Sequence, residues 1–239
     1  MSQADACPVV GRRVMLVGAT GLVGRECLRL LAADPTVSVL RVLLRRPPEP
    51  ERWLPGDLPA ALRERIDWCV TDFEQLDTHP DWFEVDEVVC ALGTTIRQAG
   101  SQAAFRRVDH DYPLAVATRA RQRGARHVLV VSALGADATS RVFYNRVKGE
   151  MEAGLQALGL PSLTVARPSL LAGDRTEFRL GEALGLKFAW LIPGPWKPVE
   201  AHQVALGLCL AARTPRPGVT VLDNTMLRRL HDDGRLQRP

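Results

Sequence analysis

Tyr144 and Lys148 stand four residues apart in Tyr144-Asn145-Arg146-Val147-Lys148, and Ser132 lies twelve residues upstream. On a helix this spacing puts the phenol and the ammonium on one face, one turn from each other. A free tyrosine has a pKa of about 10 and is a poor general base near neutrality. A nearby ammonium favours the phenolate and lowers that value. Lys148 could also hold ribose hydroxyls, and Ser132 could hydrogen-bond both a substrate oxygen and the tyrosine. Ser132, Tyr144 and Lys148 together can therefore move a proton to or from an oxygen while a hydride moves at the adjacent carbon. The same spacing arises by chance as a pair on a helix surface. Lys148 carries extra weight because only it, Lys187 and Lys197 are Lys among 31 basic residues.

A second set of residues suits a dinucleotide. Gly18-Ala19-Thr20-Gly21-Leu22-Val23-Gly24 places a glycine at every third position, directly between an apolar run and a helical pattern. Gly18 would allow a tight turn, Gly21 would let the backbone approach a pyrophosphate, and Gly24 would let the helix pack close to the strand. The phosphates would sit on the free N–H groups of the helix start, with Thr20, Leu22 and Val23 around them. The spacing is GxxGxxG rather than the more general GxGxxG. An acid at the end of the second strand would hold the 2′-hydroxyl of NAD. That strand instead ends Leu43-Leu44-Arg45-Arg46, with no acid before Glu49. The Arg45-Arg46 pair suits the 2′-phosphate of NADP(H), through planar charge-assisted forks. The competing reading is two solvated arginines in an Arg-rich chain.

Three weaker signals fall at other strand ends, where open α/β sheets bind ligands. Leu92-Gly93-Thr94-Thr95 could face the cofactor ribose or nicotinamide. Asp72 could accept from an adenine amino group, and Pro168 would lie near the nicotinamide. Each is equally accounted for by turn chemistry. Asp109 reads as a hydrogen-bonded helix residue behind the site. His79, His110, His127, His202 and His231 show no metal-ligand spacing, so no metal is expected.

These residues need a frame of alternating strands and helices. Val14–Val17 is an apolar run, helical periodicity extends from Leu22 to Leu31, and Val37–Leu44 reads as a buried strand. This β-α-β unit of about 30 residues implies a parallel sheet covered on both faces. Further strands are expected at Ile66–Val70, Asp86–Leu92, His127–Val131 and Leu163–Ala166. A long helix is expected over Ser101–Arg123, whose last turn carries Arg119, Arg121 and Arg123 in favourable relation to the helix dipole. Another helix is expected over Arg141–Leu158. The expected fold class is therefore α/β, a Rossmann-type doubly wound parallel sheet spanning 11–172. Beyond it, 173–239 would form a small C-terminal lobe and tail, with Phe178, Leu180, Leu184, Phe188, Trp190 and Trp196 covering the nicotinamide or simply packing as core.

Composition narrows the classes. The 239 residues are 46% apolar and 24% charged, as in ordinary globular proteins. A net charge of +4 does not make a nucleic-acid binder. No apolar run reaches about 18 residues, so no membrane span is expected. The N-terminus lacks the basic flank and apolar stretch of a signal peptide. Five cysteines without CxxC pairing read as reduced thiols, and a cytoplasmic location is expected.

The chain resembles atypical short-chain dehydrogenases/reductases, and more specifically the Tat-interacting-protein oxidoreductase family and its bacterial homologues. The resemblance rests on GATGLVG at Gly18–Gly24, Arg45-Arg46, CALGTT at Cys90–Thr95 and FRRVDHDY at Phe105–Tyr112. It continues through HVLVVSALGAD at His127–Asp137, YNRVKGEME at Tyr144–Glu152, RPSLLAGDR at Arg167–Arg175 and GEALGLKFAWLIP at Gly181–Pro193. It implies a Rossmann-type domain, NADP(H) and a Ser-Tyr-Lys site at Ser132, Tyr144 and Lys148. The family often has a second hydroxyl after this serine, and here that position is Ala133. The expected function is oxidation or reduction of a small carbonyl or alcohol substrate by a monomer or homodimer. A non-catalytic NADPH sensor and a nucleotide-sugar epimerase or dehydratase are the alternatives.

Overall fold

Strand β1 (Arg12–Val17) is buried on both faces from Val14 onward: Val14 and Leu16 join one apolar cluster, Met15 and Val17 the other. A strand with no solvent side has to be apolar at every position, which is why the sequence runs on without polar alternation. The computed structural model describes residues 11–172 and 196–230. The strands that follow are β2 (Val37–Leu44), β3 (Ile66–Val70), β4 (Glu87–Cys90), β5 (His127–Val131) and β6 (Ser162–Arg167). A two-residue β7 (Leu171–Ala172) and β8 (Val199–Glu200) pair with each other, and β9 (Gly218–Asp223) comes last. The main sheet has the order β3-β2-β1-β4-β5-β6-β9, with every pair parallel.

Helices cover both faces. The longer ones are α1 (Leu22–Ala33), α6 (Tyr112–Gln122), α7 (Phe143–Ala157) and α8 (Ala201–Arg213). Shorter ones are α2 (Pro50–Trp53), α3 (Ala60–Arg63), α4 (Ile96–Ala99), α5 (Gln102–Arg106) and α9 (Asn224–Arg228). Cys27, Leu28 and Leu31 of α1 pack with Val204, Leu208 and Cys209 of α8 on one face of the sheet. Val116 and Ala120 of α6 pack with Met151 and Leu155 of α7 on the other. The sheet is thus doubly wound. The chain reverses direction across it between β1 and β4, and this switch point is where such folds open a ligand crevice.

Two expectations change. The helix expected over Ser101–Arg123 is α5 and α6 joined by a π turn at Arg107–Asp111. Pro113 is the physical reason: it has no N–H for the carbonyl of Asp109, and its ring crowds that carbonyl. The wider turn, closed by the Tyr112 N–H on the Arg107 carbonyl, relieves the clash. The boundary at 172 is also corrected, because α8 and β9 are part of the main domain. α8 covers the sheet beside α1, and β9 extends its edge. Of the apolar cover residues, Trp196 is exposed, and the other five lie outside the described residues.

At the foot of the sheet His127 is buried opposite Glu87, with Nε2 2.9 Å from the Thr164 hydroxyl. Burial, helped by Arg12, pushes its pKa down to about 4. The unfolded chain takes up this proton below about pH 6.5, and the folded chain only near 4, so stability is lost as pH falls through that window. Burial pushes Glu87 up to about 7 against the pull of Arg12, so its contribution runs the other way and falls as pH rises toward 7. His127→Gln is therefore expected to remove up to about 3 kcal/mol of acid-side loss. Urea unfolding at about pH 4.5 and pH 7 measures it. An acid-side loss equal to that of wild type would refute the assignment.

Candidate active site

The glycine loop joins β1 to α1, and its three glycines have separate structural demands. Gly18 has φ +88°, and a Cβ there would lie 2.6 Å from the Ala91 carbonyl at the end of β4. A Cβ at Gly24 would lie 2.0 Å from the Gly18 carbonyl oxygen. Gly21 differs: it caps α1 in ordinary extended geometry, and a Cβ would meet nothing nearer than the Gly18 oxygen at 3.5 Å. Gly18 and Gly24 are thus required by the fold, whereas the space over Gly21 is open. Thr20 is exposed beside it, and Leu22 and Val23 begin α1, Val23 buried. The first-turn N–H groups have no helical carbonyl to bond. An open backbone over a helix start fits the pyrophosphate of a dinucleotide.

The neighbouring strand ends carry the other cofactor candidates. Arg45 and Arg46 leave β2 exposed, and neither has a carboxylate partner among the described residues. Asp72 follows β3 and caps a short 3₁₀ turn by accepting the Glu74 N–H at 3.0 Å. Beyond β4, the Thr95 hydroxyl caps α4 by accepting from the Gln98 N–H at 3.1 Å. The Thr94 hydroxyl donates to the Thr95 carbonyl, and Leu92 is half-buried beside the exposed Gly93. The Pro168 carbonyl, after β6, accepts from the Leu134 N–H at 2.7 Å. Asp72 and Thr95 thus have local turn duties, and all these residues share the carboxyl edge of the sheet.

Helix α7 brings Tyr144 and Lys148 to that edge. Tyr144 is partly exposed at the first turn, its ring 5.6 Å from the buried Phe105 ring. Lys148, one turn deeper, is buried, with its Nζ 2.8 Å from Asp109 Oδ1 and 3.4 Å from the Val131 carbonyl. Burial by itself lowers a lysine, but Asp109, with a smaller contribution from Tyr144, outweighs it and holds Lys148 above its ordinary value. The other oxygen of Asp109 accepts the Thr94 N–H at 2.9 Å. The π turn that Pro113 imposes thus delivers a carboxylate beneath the loop after β4.

Ser132 follows β5, buried, and donates its hydroxyl proton to Glu152. Glu152 also pairs with Arg167 through Oε2 at 2.5 Å. A serine hydroxyl has one proton, so Ser132 in this arrangement has lone pairs rather than a donor to offer a third group. Tyr144, Lys148 and Glu152 follow one another at four-residue steps on α7, the periodicity that could have marked Glu152 from the sequence. Asp109, Glu152, Arg167 and Gly149 are the residues that motif reading passed over as site components. A Cβ at Gly149 would lie 2.2 Å from the Ala138 nitrogen, so this glycine lets α7 close onto the loop after β5.

Fold and edge together define a nucleotide-cofactor domain, and comparison with known proteins places it. The chain belongs to the NAD dependent epimerase/dehydratase family, whose model matches residues 14–141. It is similar to Protein HTATIP2 of Rattus norvegicus, at 36% identity over 186 residues, covering 77% of this chain and 73% of that one. It is also similar to Protein fmp52, mitochondrial, of Emericella nidulans, at 36% identity over 177 residues and 74% of each chain. These relatives agree with the resemblance drawn from the motifs. The mitochondrial names of the fungal relatives, that of Eremothecium gossypii among them, overturn the expected cytoplasmic location. Among solved structures, the fold is similar to a UDP-N-acetylglucosamine 4-epimerase from Methanobrevibacter ruminantium M1 in complex with UDP-N-acetylmuramic acid. The TM-score is 0.67 at 14% identity, covering 89% of this chain and 76% of that one. The reductase domain of PhqB from Penicillium fellutanum gives 0.66 at 19% identity, covering 90% and 68%.

Proposed function

We propose that this protein is an NADP(H)-dependent oxidoreductase acting on a small carbonyl or alcohol, with Tyr144 as the proton-transfer residue. The observation that carries the reading is the Tyr144–Lys148 pair on α7: a partly exposed phenol at the sheet's carboxyl edge, one turn above a buried, charged lysine. When bound, the cofactor supplies or accepts the hydride. Tyr144 gives a proton to the substrate oxygen in reduction and takes it back in oxidation. The Lys148 ammonium, in contact with Asp109 and the Val131 carbonyl, carries three N–H groups and would also hold a ribose hydroxyl. Ser132, with its proton committed to Glu152, accepts a hydrogen bond from an alcohol or from the tyrosine. Gly18–Gly24 and the start of α1 hold the pyrophosphate. Asp72 lies toward the adenine, and Leu92–Thr95 and Pro168 lie toward the nicotinamide ribose.

The choice of NADP(H) rests on Arg45 and Arg46, two exposed guanidinium groups without a carboxylate partner among the described residues, where an NAD-specific site would carry an acid. The expected result is tighter binding of NADPH than of NADH by at least about 1.4 kcal/mol, a tenfold ratio. Calorimetric titration of both cofactors tests it. Arg45→Ala should weaken NADPH alone. Equal affinities in wild type would refute the preference. An epimerase acting on a nucleotide sugar, favoured by the family match, would instead retain NAD through purification.

A further inference from the structure

The Lys148–Asp109 contact unites two charges that the fold has taken almost wholly out of water. The side chains are 4% and 1% exposed. An isolated ammonium at such a site gives up its proton, because burial penalises the charged form. The groups facing Lys148 come from every element around it: Asp109 from the π turn, the Val131 carbonyl from β5, Cys90 from β4 and Tyr144 from its own helix. Burial holds the Cys90 thiol near 11, so it is neutral at working pH. That leaves Asp109 as the carboxylate in contact with the ammonium among the described residues. Its second oxygen is fixed by the Thr94 N–H, so it cannot swing away.

We propose that Asp109 is a positioning residue that locks Lys148 in its charged form and ties that charge to the loop after β4. The functional meaning rests on the role given to Lys148 above. With the lysine charge constant, ribose binding does not vary with pH, and Tyr144 titrates against a fixed field. A neutral residue at 109 would leave a buried lysine with nothing to hold its proton, and the site would acquire a second titration.

The chain's three lysines make this directly observable. With ¹³C at lysine Cε, Lys148 is assigned by its absence in Lys148→Arg, and each resonance is followed with pH. In wild type the Lys148 midpoint is expected above the ordinary lysine value. In Asp109→Asn it should fall by at least about two pH units, a hundredfold loss of proton affinity. Asp109→Glu should keep it high. NADPH affinity of Asp109→Asn should match wild type below the new midpoint and fall at least tenfold above it, whereas a merely structural role would give a loss independent of pH. A wild-type Lys148 midpoint below the ordinary lysine value would overturn the proposal without any variant. So would an unchanged midpoint in a folded Asp109→Asn protein. Failure of wild type to bind NADPH would strike the cofactor reading instead and leave the lysine titration to be judged by itself.

Discussion

Tyr144→Phe is expected to lower kcat/KM for carbonyl reduction by about 100- to 10,000-fold, a loss of about 3–5 kcal/mol in transition-state stabilisation. The substitution removes one oxygen. The ring keeps its contact with Phe105, and Lys148 keeps its bonds to Asp109 and Val131, neither of which involves the phenol. NADPH affinity should therefore stay near wild type, so that the loss falls on the chemical step. Lys148→Ala should differ by weakening binding and rate together, and it would also strand Asp109 without its counter-charge. Single-turnover NADPH oxidation with a panel of aldehydes and ketones, beside a cofactor titration of each variant, separates these outcomes. Near-normal turnover by Tyr144→Phe would end the mechanism. Wild-type protein that binds NADPH yet turns over no member of the panel would favour a sensor of the cofactor over an enzyme.

Gly21→Val and Gly24→Ala should fail in opposite ways, although both alter one glycine motif. A Cβ at Gly24 lands 2.0 Å from the Gly18 carbonyl oxygen, so α1 must move off β1. The expected cost is about 3 kcal/mol or more of stability, since backbone on both sides leaves nothing flexible to yield. At Gly21 the backbone is extended and a Cβ meets nothing within 3.4 Å. Gly21→Val should fold with a stability change within about 1 kcal/mol, the scale of an altered helix cap. Its methyl groups would occupy the space a pyrophosphate needs, and NADPH affinity should drop at least about 100-fold, or 2.7 kcal/mol. Urea unfolding and calorimetry on both variants test the pair. Unchanged affinity in a folded Gly21→Val protein would show that this loop does not carry the phosphates.

The parallel sheet was legible because its strands are buried on both faces. Uninterrupted apolar runs such as Val14–Val17 and Val128–Val131 cannot be solvent-facing strands. The order of motifs along the chain also places Gly18–Gly24, Leu92–Thr95, Ser132 and Pro168 at strand ends, since a chain that winds βα in one direction returns every such turn to the same edge. Helical spacing alone puts Tyr144 and Lys148 on one face. Less legible was the C-terminal part. β9 carries exposed Val219 and Val221 at a sheet edge, and a weak pattern of that kind does not reveal which sheet a strand joins.

By itself, then, the sequence determined the fold class, the glycine turn and the tyrosine–lysine pair, because each depends on local spacing or on burial that composition records. Only the tertiary structure decided what those groups touch. Asp109 is 39 residues from Lys148 in the chain, and its carboxylate reaches the ammonium because Pro113 opens a π turn above it. Ser132 carries the expected hydroxyl, yet its proton goes to Glu152, which Arg167 holds from the next strand. Gly24 and Gly21 look alike as letters, and only the Gly18 carbonyl lying against one of them separates a packing glycine from a binding one. Charge compensation, proton direction and steric room are properties of distances between elements, and those distances are set when the sheet and its helices close on one another.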